Sequence, residues 1–205
     1  MKKNIRSYSK NERIISSRRD KLSKCAARVF VKKGYDRTSM RDISGACNMS
    51  IGTLYRYIGS KKDLLQLVIE QGMKKEVDYC REAFQQARLM GPVEALKFAI
   101  REYLKTADDI QDILLFSYRS IYQVKPSIRK DVLNLDTSVI NEFKKILDRG
   151  CEEGLFRIDD VSMVAYTIDA MTQMWAVKRW AFKGVYTLDE YIETNTNLIL
   201  KSILR

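Results

Sequence analysis

Apolar positions along this chain recur with helical spacing almost from end to end. Between Arg13 and Lys33, Ile14, Ile15, Leu22, Cys25, Ala26, Val29 and Phe30 fall near a 3.6-residue period, and Gly34 supplies a C-terminal stop. Met40, Ile43 and Ala46 mark the buried face of a short helix, with Ser39 placed to cap it and Asp42 to favour its positive end. Asn48 stands where that helix must stop and turn, and asparagine accepts the left-handed conformation cheaply. A second short helix runs from Ile51 to about Ile58, capped by Ser50, with Leu54 and Ile58 inside and Gly59 at its end. Ser60 and Asp63 open a long helix from Lys61 to about Arg88, whose Leu64, Leu65, Val68, Ile69, Met73, Val77, Cys80 and Phe84 form one stripe.

The same spacing predicts helices from Pro92 to about Thr106, Asp109 to about Val124, Pro126 to about Glu153, Asp160 to Phe182 and Leu188 to Leu204. Gly91-Pro92 separates two of them, and Thr187 with Glu190 forms a capping box before the last. No strand-like alternation, internal repeat or low-complexity segment interrupts the pattern. The expected fold is all-α with about nine helices. Residues 1–12 are polar and basic, and read either as a tail without fixed structure or as an arm that tracks phosphates or a minor groove.

Helix, tight turn and helix from Thr38 onward is the layout of a helix-turn-helix, whose second helix enters the DNA major groove. The string T-S-M-R-D-I-S-G-A-C-N-M-S-I-G-T-L-Y-R-Y-I-G-S-K-K-D-L-L resembles the DNA-binding domain of tetracycline-repressor (TetR) type transcriptional regulators, the likeness running from Val29 to Leu65. Asn48 stands where that family usually has Gly, and Ile58 where it usually has Phe; both keep the physical role. The resemblance implies a dimer bundle made by the last two helices and an effector pocket enclosed by the middle ones. Trp175, Arg179 and Trp180 are similar to a W-x-x-x-R-W segment in a subset of the family, some members of which respond to fatty acids or acyl-CoA thioesters. The expected division is a DNA-binding domain over 1–62 and an effector-binding and dimerisation domain over 63–205.

Charge sharpens this reading. Residues 1–62 hold 17 Lys and Arg against 4 Asp and Glu, whereas the remaining 143 hold 20 against 22. The whole positive excess of +11 therefore lies with the groove-reading motif, which favours nucleic acid over an anionic membrane surface or a merely solvated face. The two prolines and nine glycines suit a helical chain. No apolar run of 18 or more residues exists, and no apolar signal core follows Met1, so a cytoplasmic protein without membrane association is expected. The chain has no histidine, P-loop, G-x-G-x-x-G or nucleophile signature, so neither an enzyme nor a cofactor or metal site is expected. Cys25, Cys47, Cys80 and Cys151 read as scattered buried or idle thiols, with Cys47 beside the turn the one candidate redox sensor.

The candidate sites follow. Ile51, Thr53 and Arg56 are placed to reach bases: Arg bonds a guanine edge, and Thr or Ile touches a thymine methyl. Arg41 suits a base or a phosphate, Ser50 caps the reading helix, and Tyr55 is half core and half backbone contact. By resemblance, Ser39, Tyr57 and Lys61 hold phosphates, and Lys61 sits at a helix N-terminus that favours an anion. For the effector, Met73, Phe84, Phe98, Tyr103, Phe116, Tyr122, Tyr166, Met171, Met174 and Trp175 make an aromatic and Met-rich inventory suited to an adaptable apolar cavity, although each alone suits ordinary core packing. Arg119 is a charge among apolar neighbours that meets an anionic effector group, pairs with an acid or faces water. The expected partners are a palindromic double-stranded DNA operator, a small-molecule effector and a second copy of the chain. The function is that of a repressor released by a largely apolar effector such as an acyl-CoA or fatty acid. An effector-independent architectural DNA binder and a regulator responding to lipophilic cations are the alternatives.

Overall fold

The structure is a computed structural model that describes residues 12–205, with side chains from Ser17 onward. Ten α-helices account for nearly all of it: α1 Glu12–Lys33, α2 Met40–Ala46, α3 Ile51–Tyr57, α4 Lys61–Ala87, α5 Pro92–Asp109, α6 Gln111–Ser120, α7 Pro126–Glu152, α8 Val161–Val177, α9 Arg179–Phe182 and α10 Leu188–Ile203. A 3₁₀ turn covers Ile121–Gln123, and a single antiparallel bridge joins Phe156 to Leu204. The basic arm expected over 1–12 lies outside the described residues, apart from the backbone of Glu12.

The chain forms two compact units. The first comprises residues up to Met73 together with Phe116–Val132; the second comprises Lys74–Leu115 and Leu133–Arg205. In the first, α1, α2 and α3 pack around fully buried Leu22, Ala26, Phe30, Ile43, Leu54 and Ile58. Phe30 anchors this core, edge-on to Tyr35 at 5.4 Å and stacked on Phe116 at 5.6 Å. Burying each such large side chain contributes about 1.5–3 kcal/mol.

In the second unit, α5 carries the stripe that its spacing predicts: Ala95, Leu96, Ala99, Ile100, Tyr103, Leu104 and Ala107 are all buried. Its chief partners are α8 and α10. Phe143 of α7 sits between Phe84 at 5.0 Å and Tyr103 at 5.6 Å. Beyond α7 the chain reverses at Gly154, whose φ of +73° suits glycine. Leu155 and Phe156 both donate backbone hydrogen bonds to the Gly150 carbonyl, which brings the Phe156 ring back over Gly150.

Two predicted helices are broken. The segment Asp160–Phe182 divides at Lys178, whose φ of −101° and ψ of 18° leave the helix. No Gly or Pro marks the break; its reward is aromatic packing. Phe182 turns back to stack on Trp175 at 5.9 Å and to meet Tyr191 at 5.1 Å. Likewise Asp109–Val124 begins only after Ile110, which caps α5, and ends as a 3₁₀ turn.

Candidate nucleic-acid interface and effector region

The groove-reading motif is built by local hydrogen bonds. Ser39 forms a capping box with Asp42: the Asp42 N–H donates to Ser39 Oγ at 3.1 Å, and the Ser39 N–H donates to Asp42 Oδ2 at 2.8 Å. Lys33 adds an ion pair to Asp42 at 2.6 Å, and these contacts, Lys33 first, hold the Asp42 carboxyl well below the usual range. Asn48 takes φ +52° in the turn, the left-handed geometry its identity suggests. Ser50 then caps α3, accepting from the Thr53 N–H at 3.1 Å. Leu54 and Ile58 fasten the helix inward with no exposure.

That arrangement leaves Ile51, Tyr55 and Arg56 exposed along α3, with Arg41 exposed on α2. Thr53 and Tyr57 are half-buried, and the Tyr57 carbonyl accepts from Arg19 Nε at 3.2 Å, tying α3 to α1. Lys61 is already engaged: its Nζ donates to the Asp36 carbonyl at 3.2 Å and lies 4.3 Å from the centre of the Tyr35 ring. Ser39 and Ser50 likewise spend their hydroxyls on caps. Among the nine DNA-facing candidates, Arg41, Ile51, Tyr55 and Arg56 are exposed and make no cap or tether among the described residues, and half-buried Tyr57 is tethered through its carbonyl alone.

The cysteines depart from expectation. Cys25 of α1 and Cys47, the residue that caps α2, form a disulfide with Cα atoms 5.7 Å apart. Packing of α1 on the turn brings together residues 22 apart, which no spacing rule on the sequence signals. Cys80 remains a buried thiol and Cys151 a half-buried one.

The effector candidates are divided between the two units. Met73, Phe116, Arg119 and Tyr122 belong to the first unit, the other seven to the second. Arg119 and Tyr122 are exposed, and Tyr122 lies against Arg129. Trp175 is core: its Nε1 donates to Asp108 at 2.8 Å and its ring packs on Tyr191. Tyr166 and Met174 share an exposed apolar stripe of α8 with Met163 and Val177. The second unit does contain a pocket of about 300 Å³ between α4 and α7, walled by Val77, Cys80, Phe84 and Val139 and rimmed by Arg81, Arg88 and Glu142. Phe84 is the single predicted effector residue that lines it.

Sequence reasoning named Tyr103 as an effector candidate but missed the buried Glu76 beside it. Glu76 of α4 is 3 % exposed and sits beside buried Asp169 and Tyr103 in the second unit, with the half-buried Asp136 near them. The Tyr103 hydroxyl donates to Asp169 Oδ1 at 2.7 Å, and Gln173 donates to Asp169 Oδ2 at 2.6 Å. Burial, reinforced by Asp136 and Asp169, pushes the Glu76 carboxyl up to about 8; burial pushes Asp169 up to about 6. A signal existed: Glu76 interrupts the apolar stripe between Met73 and Cys80.

Comparison with known proteins places this geometry. Residues 24–68 match the N-terminal domain of the bacterial regulatory proteins of the tetR family, and residues 90–203 match the tetracyclin repressor-like C-terminal domain. The chain belongs to the TetR family. It is therefore a helix-turn-helix transcriptional regulator. The HTH-type transcriptional regulator HbdR of Aromatoleum sp. (strain CIB) is 27 % identical over 202 residues, covering 98 % of this chain and 86 % of its own. The transcriptional repressor KstR2 of Mycobacterium tuberculosis (strain ATCC 25618 / H37Rv) is 28 % identical over 186 residues, covering 83 % and 84 %. AibR, solved with isovaleryl coenzyme A and operator DNA, shares the TetR fold at a TM-score of 0.76 and 21 % identity, covering 88 % of this chain and 97 % of its own. Among the described residues no helix is long and apolar enough to cross a membrane.

Proposed function

We propose that this TetR-family regulator is a homodimeric repressor that leaves a palindromic operator when a small, largely apolar molecule binds its C-terminal part. DNA reading falls to residues 1–62, and effector binding and dimerisation to 63–205. The observation that carries the reading is the state of α3: it is capped by Ser50, pinned inward by Leu54 and Ile58, and bare along Ile51, Tyr55 and Arg56. A helix so held presents side chains to base edges without first reorganising. Confinement of the positive excess to residues 1–62 adds attraction to phosphates.

Support for a dimer comes from α8, where Met163, Tyr166, Met174 and Val177 expose apolar surface at helical spacing, and from Leu198 of α10. Such a stripe suits burial against a second copy. A dimer sets its two α3 helices roughly 34–36 Å apart, or a multiple of that turn, to match successive major grooves. An effector releases DNA only by binding a differently spaced state more tightly.

Two ligand classes have specific support. AibR's isovaleryl coenzyme A and the apolar walls of the α4–α7 pocket, with Arg81 and Arg88 on its rim, favour an acyl-CoA or fatty acid. The buried acids Glu76 and Asp169 favour a lipophilic cation. The test of the function is sedimentation of the full chain with a duplex recovered by selection. Two chains per palindrome, with affinity falling steeply as salt rises, are expected; a salt-independent monomeric complex contradicts the proposal.

A further inference from the structure

The interior of the second unit holds a hydrogen-bond deficit. Tyr103 has one hydroxyl proton, and it goes to Asp169 Oδ1. The Glu76 carboxyl lies against the same hydroxyl, whose one proton is already committed to Asp169. A protonated Glu76 agrees with its burial among Asp136 and Asp169. Its Oε2 is buried and has no hydrogen-bond partner among the described residues. Asp169 does not share this deficit, because Tyr103 and Gln173 satisfy both its oxygens.

A buried acceptor left unmatched costs stability, and such groups persist where a function requires them. Glu76 lies one turn before Cys80 on α4, and Cys80 lines the pocket between α4 and α7. Resting on the effector reading above, we propose that Glu76 anchors the ligand of the second unit, its Oε2 accepting a hydrogen bond from a donor group, a hydroxyl or an ammonium, on an otherwise apolar small molecule. Val77, Phe84 and Val139, which wall the pocket between α4 and α7, supply the apolar contacts for the rest of the molecule. A carboxylate end has no donor to offer and meets Asp136 and Asp169, so it is rejected at this position.

Matched probes separate the two donors. Full-length protein is heated with 1-octanol, octylamine or octanoate, alongside the Glu76→Gln and Glu76→Leu variants. In the wild type, octanol and octylamine raise the Tm and octanoate does not. Glu76→Leu raises the ligand-free Tm by a few degrees, because it removes an unmatched buried polar group, and abolishes both shifts. Glu76→Gln keeps a carbonyl acceptor at this position, so it retains the octanol shift. If the ammonium is the preferred donor, octylamine binding falls at least tenfold in that variant; if the hydroxyl is, both probes behave as in the wild type. A lower ligand-free Tm for Glu76→Leu, shifts that survive in it, or an octanoate shift as large as the others overturns the proposal. Wild-type operator binding, measured in parallel, keeps the two readings apart: DNA binding without probe shifts sinks the Glu76 anchor alone, and absence of DNA binding sinks the regulator itself.

Discussion

Gly150→Ala sets helix propensity against packing, and the structure decides which wins. Gly150 lies inside α7, where alanine is favoured over glycine by about 1 kcal/mol on propensity alone. A Cβ at this position would fall inside the van der Waals envelope of Phe156 Cδ2 and Cε2 and only 2.8 Å from Cγ. Carbon atoms pack at about 3.5–4.0 Å, so the ring would have to retreat by more than 1 Å, on the order of a full bond length. It has nowhere to go: Phe156 is 2 % exposed, its N–H is tied to the Gly150 carbonyl, and it pairs with Leu204. Overpacking costs about 1–3 kcal/mol, and losing the Phe contacts outright costs about 3–5 kcal/mol. Set against the propensity gain, the net loss is about 2 kcal/mol, or about 4–8 °C in Tm for a chain of this size. Gly45→Ala in α2 is the control, since a Cβ there meets nothing within 4 Å and only the propensity gain remains. Calorimetry of both variants reads the signs. A Gly150→Ala protein as stable as Gly45→Ala, or stabler than wild type, would refute the assigned Phe156 packing.

Three further predictions use other parts of the molecule. Reduction of the Cys25–Cys47 bond, which closes a loop of sequence separation 22, should lower stability by about 3 kcal/mol, and a Cys25→Ser/Cys47→Ser protein should be insensitive to reductant; alkylation with mass spectrometry should find two of the four thiols protected before reduction. Asn48→Val should lose about 1–2 kcal/mol by forcing a β-branched residue to φ +52°, while Asn48→Gly keeps the turn, and denaturant midpoints distinguish them. Glu76 holds a proton in the folded chain up to about pH 8 that the unfolded chain releases near 4.5, so its contribution is complete below 4.5 and is lost as pH rises towards 8. Glu76→Gln should flatten the stability profile between pH 6 and 8 and leave the Asp169 contribution, between 3.8 and about 6, in place.

What was legible in the sequence was local. Ser39, Ser50 and Thr187 cap the helices their positions suggest, Asn48 turns left-handed, and Pro92 opens α5. Each depends on residues within four positions, where side-chain chemistry dictates backbone geometry directly. The misses depend on partners far along the chain. Lys178 breaks a helix because Phe182 gains Trp175 and Tyr191, the latter from another helix. Cys25 meets Cys47 only after α1 packs on the turn. The effector inventory mixes two kinds of position for the same reason. Aromatic and Met residues fill the core at Phe84 and Trp175 and cover an exposed helix face at Tyr166 and Met174, and composition does not separate the two uses. Glu76 was open to detection as the one acid in an apolar stripe, yet its significance needed Tyr103 and Asp169 beside it.

The central claim is that the exposed face of α3 reads DNA sequence, and a selection from a random duplex library tests it most directly, run with wild type, Arg56→Ala and Lys61→Ala. The wild type should enrich a palindrome with half-sites about one helical turn, or a multiple, apart. Arg56→Ala should lose about 1–3 kcal/mol and relax preference at one position of each half-site. Lys61→Ala, which frees no base-reading group, should retain the same preference at every position and bind all sequences more weakly, with a salt slope lower by about 1. No enriched sequence for the wild type, or identical sequence-independent losses in the two variants, would contradict the account.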